Sequence, residues 1–151
     1  MSLKIRALAA PDREAWEPLW AGYLDFYEAD LSDEVTDQTW ARLIEPGIDP
    51  NGFCAVTGPV SGEARIVGIV HYLFHASCWS LGPYCYLQDL FVDPEIRGSG
   101  AGRALIEAVY RAADEHGASQ VYWLTQHFNE TARRLYDRIG VATPFMKYNR
   151  V

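Results

Sequence analysis

RGSGAGRALIEAVY, residues 97–110, places three glycines within five positions and then runs at once into strong helix formers. Glycine costs a chain more conformational entropy to order than any other residue, so a cluster of it calls for a geometric reason. The cluster directly follows the apolar run LQDLFV, residues 87–92. A strand, a glycine-rich turn and a helix in succession present the first backbone N–H groups of the helix at one spot. Such a turn is a ready anion site, because missing Cβ atoms let a phosphate approach the main chain. A tight turn with no ligand is the other reading. The nucleotide-binding fingerprints do not fit: no Lys-Ser/Thr pair follows the glycines, and no GxGxxG opens a first βαβ unit.

Working outward, YCYLQDLFV (Tyr84–Val92) reads as the strand entering the turn. Ile66–Phe74 and Phe53–Thr57 read as an antiparallel hairpin around a Gly- and Pro-rich turn at Gly58–Gly62. Before them, Trp40, Leu43 and Ile44 mark a helix stopped by Pro46-Gly47, and Ser32–Thr36 is a polar break. Pro11 opens an earlier helix with Asp12 and Glu14 in its first turn, where the dipole favours acids. Its buried face is spelled by Trp16, Trp20, Tyr23, Leu24 and Tyr27. Lys4–Ala9 is a first strand. Downstream, the glycine-led helix runs from about Gly100 to His116 and ends at Gly117. Val121–Thr125 is a buried strand, Asn129 caps a helix through Ile139 closed by Gly140, and Phe145–Asn149 is a last strand. This order predicts an α/β (α+β) fold, a mixed sheet with helices on both faces. With no repeat, linker or low-complexity tract, residues 1–151 are expected to form a single domain.

Apolar residues make up 49% and charged residues 22%, as in ordinary globular chains. No apolar run approaches the roughly 20 residues that span a bilayer, and the N-terminus lacks an h-region long enough for a signal peptide. Cys54, Cys78 and Cys85 are odd in number and have no CxxC spacing. They read as strand packing in a reduced, cytoplasmic protein. His71, His75, His116 and His127 show no metal-ligand spacing, so no metal is expected. The net charge of −7 is localised: residues 1–50 hold eleven acids against four bases, and residues 51–151 hold nine of each. Asp25–Asp37 contains six acids and no base. That run is either a solvated surface or a surface that draws cations, and it excludes nucleic acid, which needs a basic face.

Two motifs carry a family resemblance. Arg97-Gly98-Ser99-Gly100-Ala101-Gly102 resembles the R/Q-x-x-G-x-G/A signature of the GNAT superfamily of N-acetyltransferases, behind an LFVDP segment (Leu90–Pro94) similar to that family's fourth strand. Asn129 to Tyr136, NETARRLY, resembles its second motif, N-x-x-A-x-x-x-Y. The likeness spans nearly the whole chain and looks closest to the branch holding the histone-and-other-protein and the spermidine/spermine acetyltransferases. It implies a GNAT fold: a mixed, mostly antiparallel sheet of six to seven strands, splayed at the fourth by a bulge. It also implies acetyl-CoA as donor. The diphosphate would lie on the amides of Gly98, Ser99, Gly100, Ala101, Gly102 and Arg103. The pantetheine would run beside Leu90, Phe91 and Val92 like an added strand. Arg97, Arg103, Arg133, Arg134 and Arg138 cluster in sequence near that end, two or three of them suited to phosphate, and Asn129 belongs to the same cofactor-binding set.

The resemblance further implies direct attack of an amine on the thioester, with Tyr136 as general acid and a backbone N–H near Leu90 or Phe91 facing the oxyanion. The base is where the chain departs from its relatives. Gln88-Asp89 stands where the spermidine/spermine enzymes carry Glu-Asp, and an amide takes no proton. Asp89 remains as base or as ammonium ligand, with Glu28 or Asp25 as substitutes across the cleft. Tyr27, Glu28, Gln88 and Asp89 form the expected substrate-binding set, and Tyr23, Tyr27, Tyr84 and Tyr86 offer cation–π faces. The expected acceptor is a small cationic amine, a polyamine, a diamine or a lysine-like group. A protein-lysine or N-terminal acetyltransferase and an acyl-CoA-binding module without turnover stay open. The tail Pro144–Val151 resembles a segment that relatives exchange across a homodimer; an ordinary last strand within the subunit is the alternative.

Overall fold

The computed structural model describes residues 2–58 and 64–151. Five strands lie in chain order across one sheet, β1 (Ser2–Ala7), β2 (Asn51–Gly58), β3 (Arg65–His75), β4 (Tyr84–Val92) and β5 (Gln120–Tyr122). The first three pairings are antiparallel and β4–β5 is parallel. Among the described residues the sheet therefore has five strands rather than six or seven. Residues 141–151 form neither helix nor strand, so the expected strand at Phe145–Asn149 is absent. The expected strand at Val121–Thr125 is the three-residue β5, which ends at Tyr122. The expected turn at Gly58–Gly62 lies almost wholly outside the described residues.

Helix α1 (Arg13–Phe26) is entered through a 3-10 turn at Ala10–Asp12. Asp12 locks that turn. Its carboxylate takes a two-pronged contact from Arg6, at 2.7 and 2.9 Å, and the Ala9 amide at 2.8 Å. The Arg6 guanidinium holds its pKa below the usual carboxylate value. Helix α2 (Asp33–Leu43) begins inside the expected polar break, because the Ser32 hydroxyl accepts from the Val35 amide and caps it. Helix α3 (Ala101–His116) ends on Gly117, whose φ of +78° fits the left-handed cap position. Helix α4 spans Glu130–Ile139.

The sheet is covered on both faces. Leu105, Ile106, Val109 and Ala113 recur at helical spacing on α3 and bury against Val67, Val70, Cys85 and Leu87. Trp16, Leu19 and Trp20 of α1, with Trp40 and Leu43 of α2, cover Cys54, Ile69 and Phe91 on the opposite face. Cys54 and Cys85 are fully buried strand residues, whereas Cys78 sits in the exposed β3–β4 connection, and all three are free thiols. Among the described residues no helix is long and apolar enough to cross a membrane. No group of three or more His, Cys, Asp or Glu side chains there is placed to hold a metal ion.

Candidate active site

Strand β4 changes face at Gln88. His71 of β3 is the register partner of Asp89, but its neighbour Tyr72 pairs with Leu87, which leaves Gln88 as the extra residue of a bulge. Side chains alternate along a strand, so one inserted residue flips every side chain beyond it. Cys85 and Leu87 therefore face α3, as do Leu90 and Val92, while Asp89 and Phe91 face α1. Without the bulge Asp89 would share the face of Leu87. Gln88 itself is exposed.

Beyond the bulge β4 is hydrogen-bonded on one side only. Parallel pairing with β5 covers Tyr84–Tyr86 and stops, while Leu90, Phe91 and Val92 pair with Val70, Ile69 and Gly68 of β3. The other edge of Leu87–Val92 thus faces the gap left by β5, the splay expected at the fourth strand, where an extended ligand finds unpaired main-chain groups.

That gap leads to the glycine turn. A 3-10 turn at Pro94–Ile96 brings the chain round, and Gly98 and Gly100 both take φ of +89° with open space where a Cβ would stand. Gly100 is the N-cap of α3, and the first intrahelical bond runs from the Ala104 amide to its carbonyl at 3.0 Å. The amides of Ala101, Gly102 and Arg103 precede that bond and have no intrahelical acceptor. A Cβ at Gly102 would stand 3.3 Å from Leu135, so this glycine lets α4 approach α3. Ser99 differs from expectation: its amide turns back to the Ile96 carbonyl at 3.2 Å. The open glycines and first-turn amides fit the phosphates of CoA in shape and polarity.

Three of the five arginines are engaged locally. Arg97 donates to the Val92 carbonyl at 3.3 Å with its guanidinium 5.5 Å from the Phe91 ring. Arg103 pairs with Glu107 at 2.7 Å, and Arg133 donates to the His127 carbonyl at 2.8 Å. Asn129 stands at the N-cap of α4, but its side chain makes no capping hydrogen bond.

Around Asp89 the structure gathers aromatic and polar groups from three elements. Burial, then the Asp89 carboxylate, raises Tyr23 well above the ordinary phenol pKa. Tyr27 and Tyr86 are raised by burial and next by Asp89. Tyr23 and Tyr27 rings lie 4.9 Å apart. Tyr84 does not join them; it packs near His75 and Tyr122 at the far end of β4. Tyr136 on α4 lies edge-on to Trp123, and burial, with a smaller push from Tyr27, takes its pKa up to about 12. Tyr27 thus links the Asp89 cluster to Tyr136. Glu28 is exposed in the left-handed region at φ of +53°, on the turn that ends α1. A cleft of about 510 Å³ that Glu28 does not line opens between Leu19, Gly22 and Asp25 of α1 and Phe91, Asp93 and Arg97 at the end of β4.

Two further residues complete the site. His71, 1% exposed, places Nδ1 3.0 Å from Asp89 Oδ2, and its Nε2 lies 3.1 Å from Trp16 Nε1. The expectation from sequence left both out of the site, treating His71 only as a non-ligand and Trp16 only as core. The signal available was a lone polar residue inside the apolar run IVGIVHYLF, since a buried polar side chain needs a partner. The partner follows only from strand register.

Residues 15–141 match the model of the acetyltransferase (GNAT) family. The chain is 38% identical over 146 residues to a D-amino-acid N-acetyltransferase of Saccharomyces cerevisiae, covering 97% of this chain and 89% of that protein. It is 37% identical over 122 residues to a thialysine N-epsilon-acetyltransferase of Bos taurus, covering 73% of this chain and 68% of the relative. Among solved structures, the aminoglycoside N-acetyltransferase AAC(6')-Iy in complex with a bisubstrate analogue shares the fold at a TM-score of 0.84 and 18% identity, over 100% of this chain and 99% of the other. With a splayed fourth strand, a glycine turn opening α3 and these likenesses together, the chain belongs to the GNAT family of N-acetyltransferases.

Proposed function

We propose that the chain moves acetyl from acetyl-CoA to the primary amine of a small cationic acceptor, in the manner of the polyamine branch of its family. The single observation that carries this reading is the bulge at Gln88, which turns Asp89 onto the α1 face among tyrosines beside the open edge of β4. Two relatives named for D-amino acids and for thialysine also act, by those names, on amines of small molecules. The acid run at the end of α1, with Asp25 lining the cleft, adds a field that draws cations.

Bound along β4 and the glycine turn, acetyl-CoA supplies an activated acetyl thioester. Asp89 holds the acceptor's ammonium and takes up its proton, directly or through one water, freeing the nitrogen lone pair for attack on the acetyl carbon. Gln88 acts only by hydrogen bonding. A main-chain N–H at Leu90 or Phe91 faces the oxygen as charge develops there. As the C–S bond breaks, Tyr136, which keeps its proton because its pKa is about 12, gives that proton to the departing sulfur, the nitrogen sheds its second proton to solvent, and Tyr136 recovers one from solvent.

We further propose a homodimer. Phe145, Met146 and Tyr148 are 82%, 77% and 87% exposed on a segment with no helix or strand, and a second copy would cover them.

The test is a thiol-release assay with acetyl-CoA and a panel of spermidine, putrescine, a lysine peptide, thialysine and a D-amino acid. Acceleration by the polycations or lysine-like amines supports the reading. CoA binding without acceleration by any amine overturns it, and preference for the D-amino acid over every cation overturns the cationic acceptor.

A further inference from the structure

An indole N–H donates and never accepts. Trp16 Nε1, 3.1 Å from His71 Nε2, therefore needs a lone pair there, and the His71 proton must sit on Nδ1, where it points at Asp89 Oδ2. The His71–Asp89 contact is thus a hydrogen bond from a neutral ring, not an ion pair. An imidazolium would set two donors head to head at Nε2.

Neighbouring groups pack against the His71 ring. Gly52 of β2 is the register partner of His71, and a Cβ there would stand 3.5 Å from its ring. Trp20 lies 5.1 Å from the ring, centroid to centroid. The His71 side chain is 2% exposed and that of Asp89 13%, so the contact is largely shielded from solvent, and the Trp16 indole fixes the ring from its other nitrogen.

We propose that His71 is a positioning residue for Asp89 and that Trp16 locks its tautomer; this rests on the reading of Asp89 as the group that receives the acceptor amine. One carboxylate oxygen is held by Nδ1–H, which aims the other at the acceptor. The neutral ring orients Asp89 without cancelling its charge, so the full negative charge remains to hold an ammonium and accept its proton. A cationic residue in this place would orient Asp89 equally well and remove that charge.

Long-range 1H–15N correlation of the imidazoles in the wild-type protein at neutral pH is expected to find His71 protonated on Nδ1 and bare on Nε2. A ring protonated on Nε2, or on both nitrogens, overturns the proposal whatever the acceptor proves to be. In turnover with the best amine of the panel above, His71→Leu is expected to lower kcat/KM for the amine on the order of 10- to 100-fold, the factor a hydrogen bond to a charged group commands, with KM for acetyl-CoA held. His71→Asn, whose amide nitrogen stands near the place of Nδ1, is expected to recover at least about tenfold of that loss. In an Asp89→Asn background, His71→Leu should cost no more than about twofold further. An equal loss in both backgrounds, or no recovery by Asn, makes His71 a packing residue and overturns the proposal. If the wild type turns over no amine, the proposed function fails on its own, and the imidazole spectrum still decides the tautomer.

Discussion

Tyr136 illustrates how burial prepares a side chain for one role. Half-buried against Trp123, its phenol is pushed up to about 12, because the low-dielectric surroundings disfavour the phenolate. A group raised in this way stays protonated through the physiological range, as the proposed donation to a leaving thiolate requires. Tyr136→Phe is expected to lower kcat by about 100-fold or more and to leave the CoA dissociation constant within about twofold, as read by single-turnover kinetics and calorimetry. An unchanged kcat would remove the acid role. Because the folded pKa lies above the ordinary 10.0, no falling limb of the pH–rate profile below about pH 11 should belong to this tyrosine. The motif spacing pointed to Tyr136 in the sequence. Its neighbour Tyr27, more than a hundred positions away, became visible only in the fold.

At the level of elements, the turn before α3 joins a strand end to a helix start through two glycines at φ of +89°. An L-residue at Gly100 is strained by about 1 kcal/mol, and an added carboxylate faces the amides that a phosphate would use. Gly100→Glu is expected to weaken CoA binding at least 100-fold while the thermal transition remains cooperative; retained affinity would put the phosphates elsewhere. A second glycine makes the contrasting case. A Cβ at Gly82, before β4, would run into the Gly117 carbonyl behind α3, and backbone cannot step aside as a flexible side chain does. Gly82→Ala is expected to destabilise by about 1–3 kcal/mol in urea unfolding with kcat/KM unchanged, since the contact lies outside the site. The glycine-led helix was readable because strand, turn and α3 are continuous in sequence. The bulge was expected only through family resemblance, since Gln88 looks like any other strand residue until β3 is laid beside it.

For the molecule as a whole, the two layers of core hide groups that ordinarily ionise. Burial pushes Cys54 and Cys85 up to about 11 from 9.0, and Tyr72 up to about 12 from 10.0. Unfolding returns each to its lower value, so the folded chain binds more protons between the two. The stabilisation is complete below about pH 9 and is lost as pH rises through about 11, at up to about 1.4 kcal/mol per pH unit for each ionising group. Urea midpoints are expected to hold from pH 7 to 9 and then fall. A Cys54→Ala/Cys85→Ala variant, weaker throughout, should decline less steeply above pH 9; an identical slope would place the loss in other groups. Removal of residues 144–151 is expected to convert a dimer to a monomer in sedimentation velocity. A full-length chain that is already monomeric would end the case for strand exchange.

What the amino-acid order determined by itself is the local part: the periodic faces of α1, α2 and α3, the apolar runs of β2, β3 and β4, and the glycine turn between β4 and α3. These depend on neighbours within a few residues, where side-chain period and backbone preference act directly. Tertiary structure decided the rest. The tail carries strand-forming residues, but β-structure needs a second strand to bond with, and among the described residues none pairs with residues 145–149. Trp16, His71 and Asp89 stand 55 and 18 positions apart in sequence. Only the register of β3 on β4, shifted by one residue at Gln88, brings His71 and Asp89 within 3.0 Å. A hydrogen bond is a matter of distance in space, and sequence separation carries no measure of it until the sheet has closed.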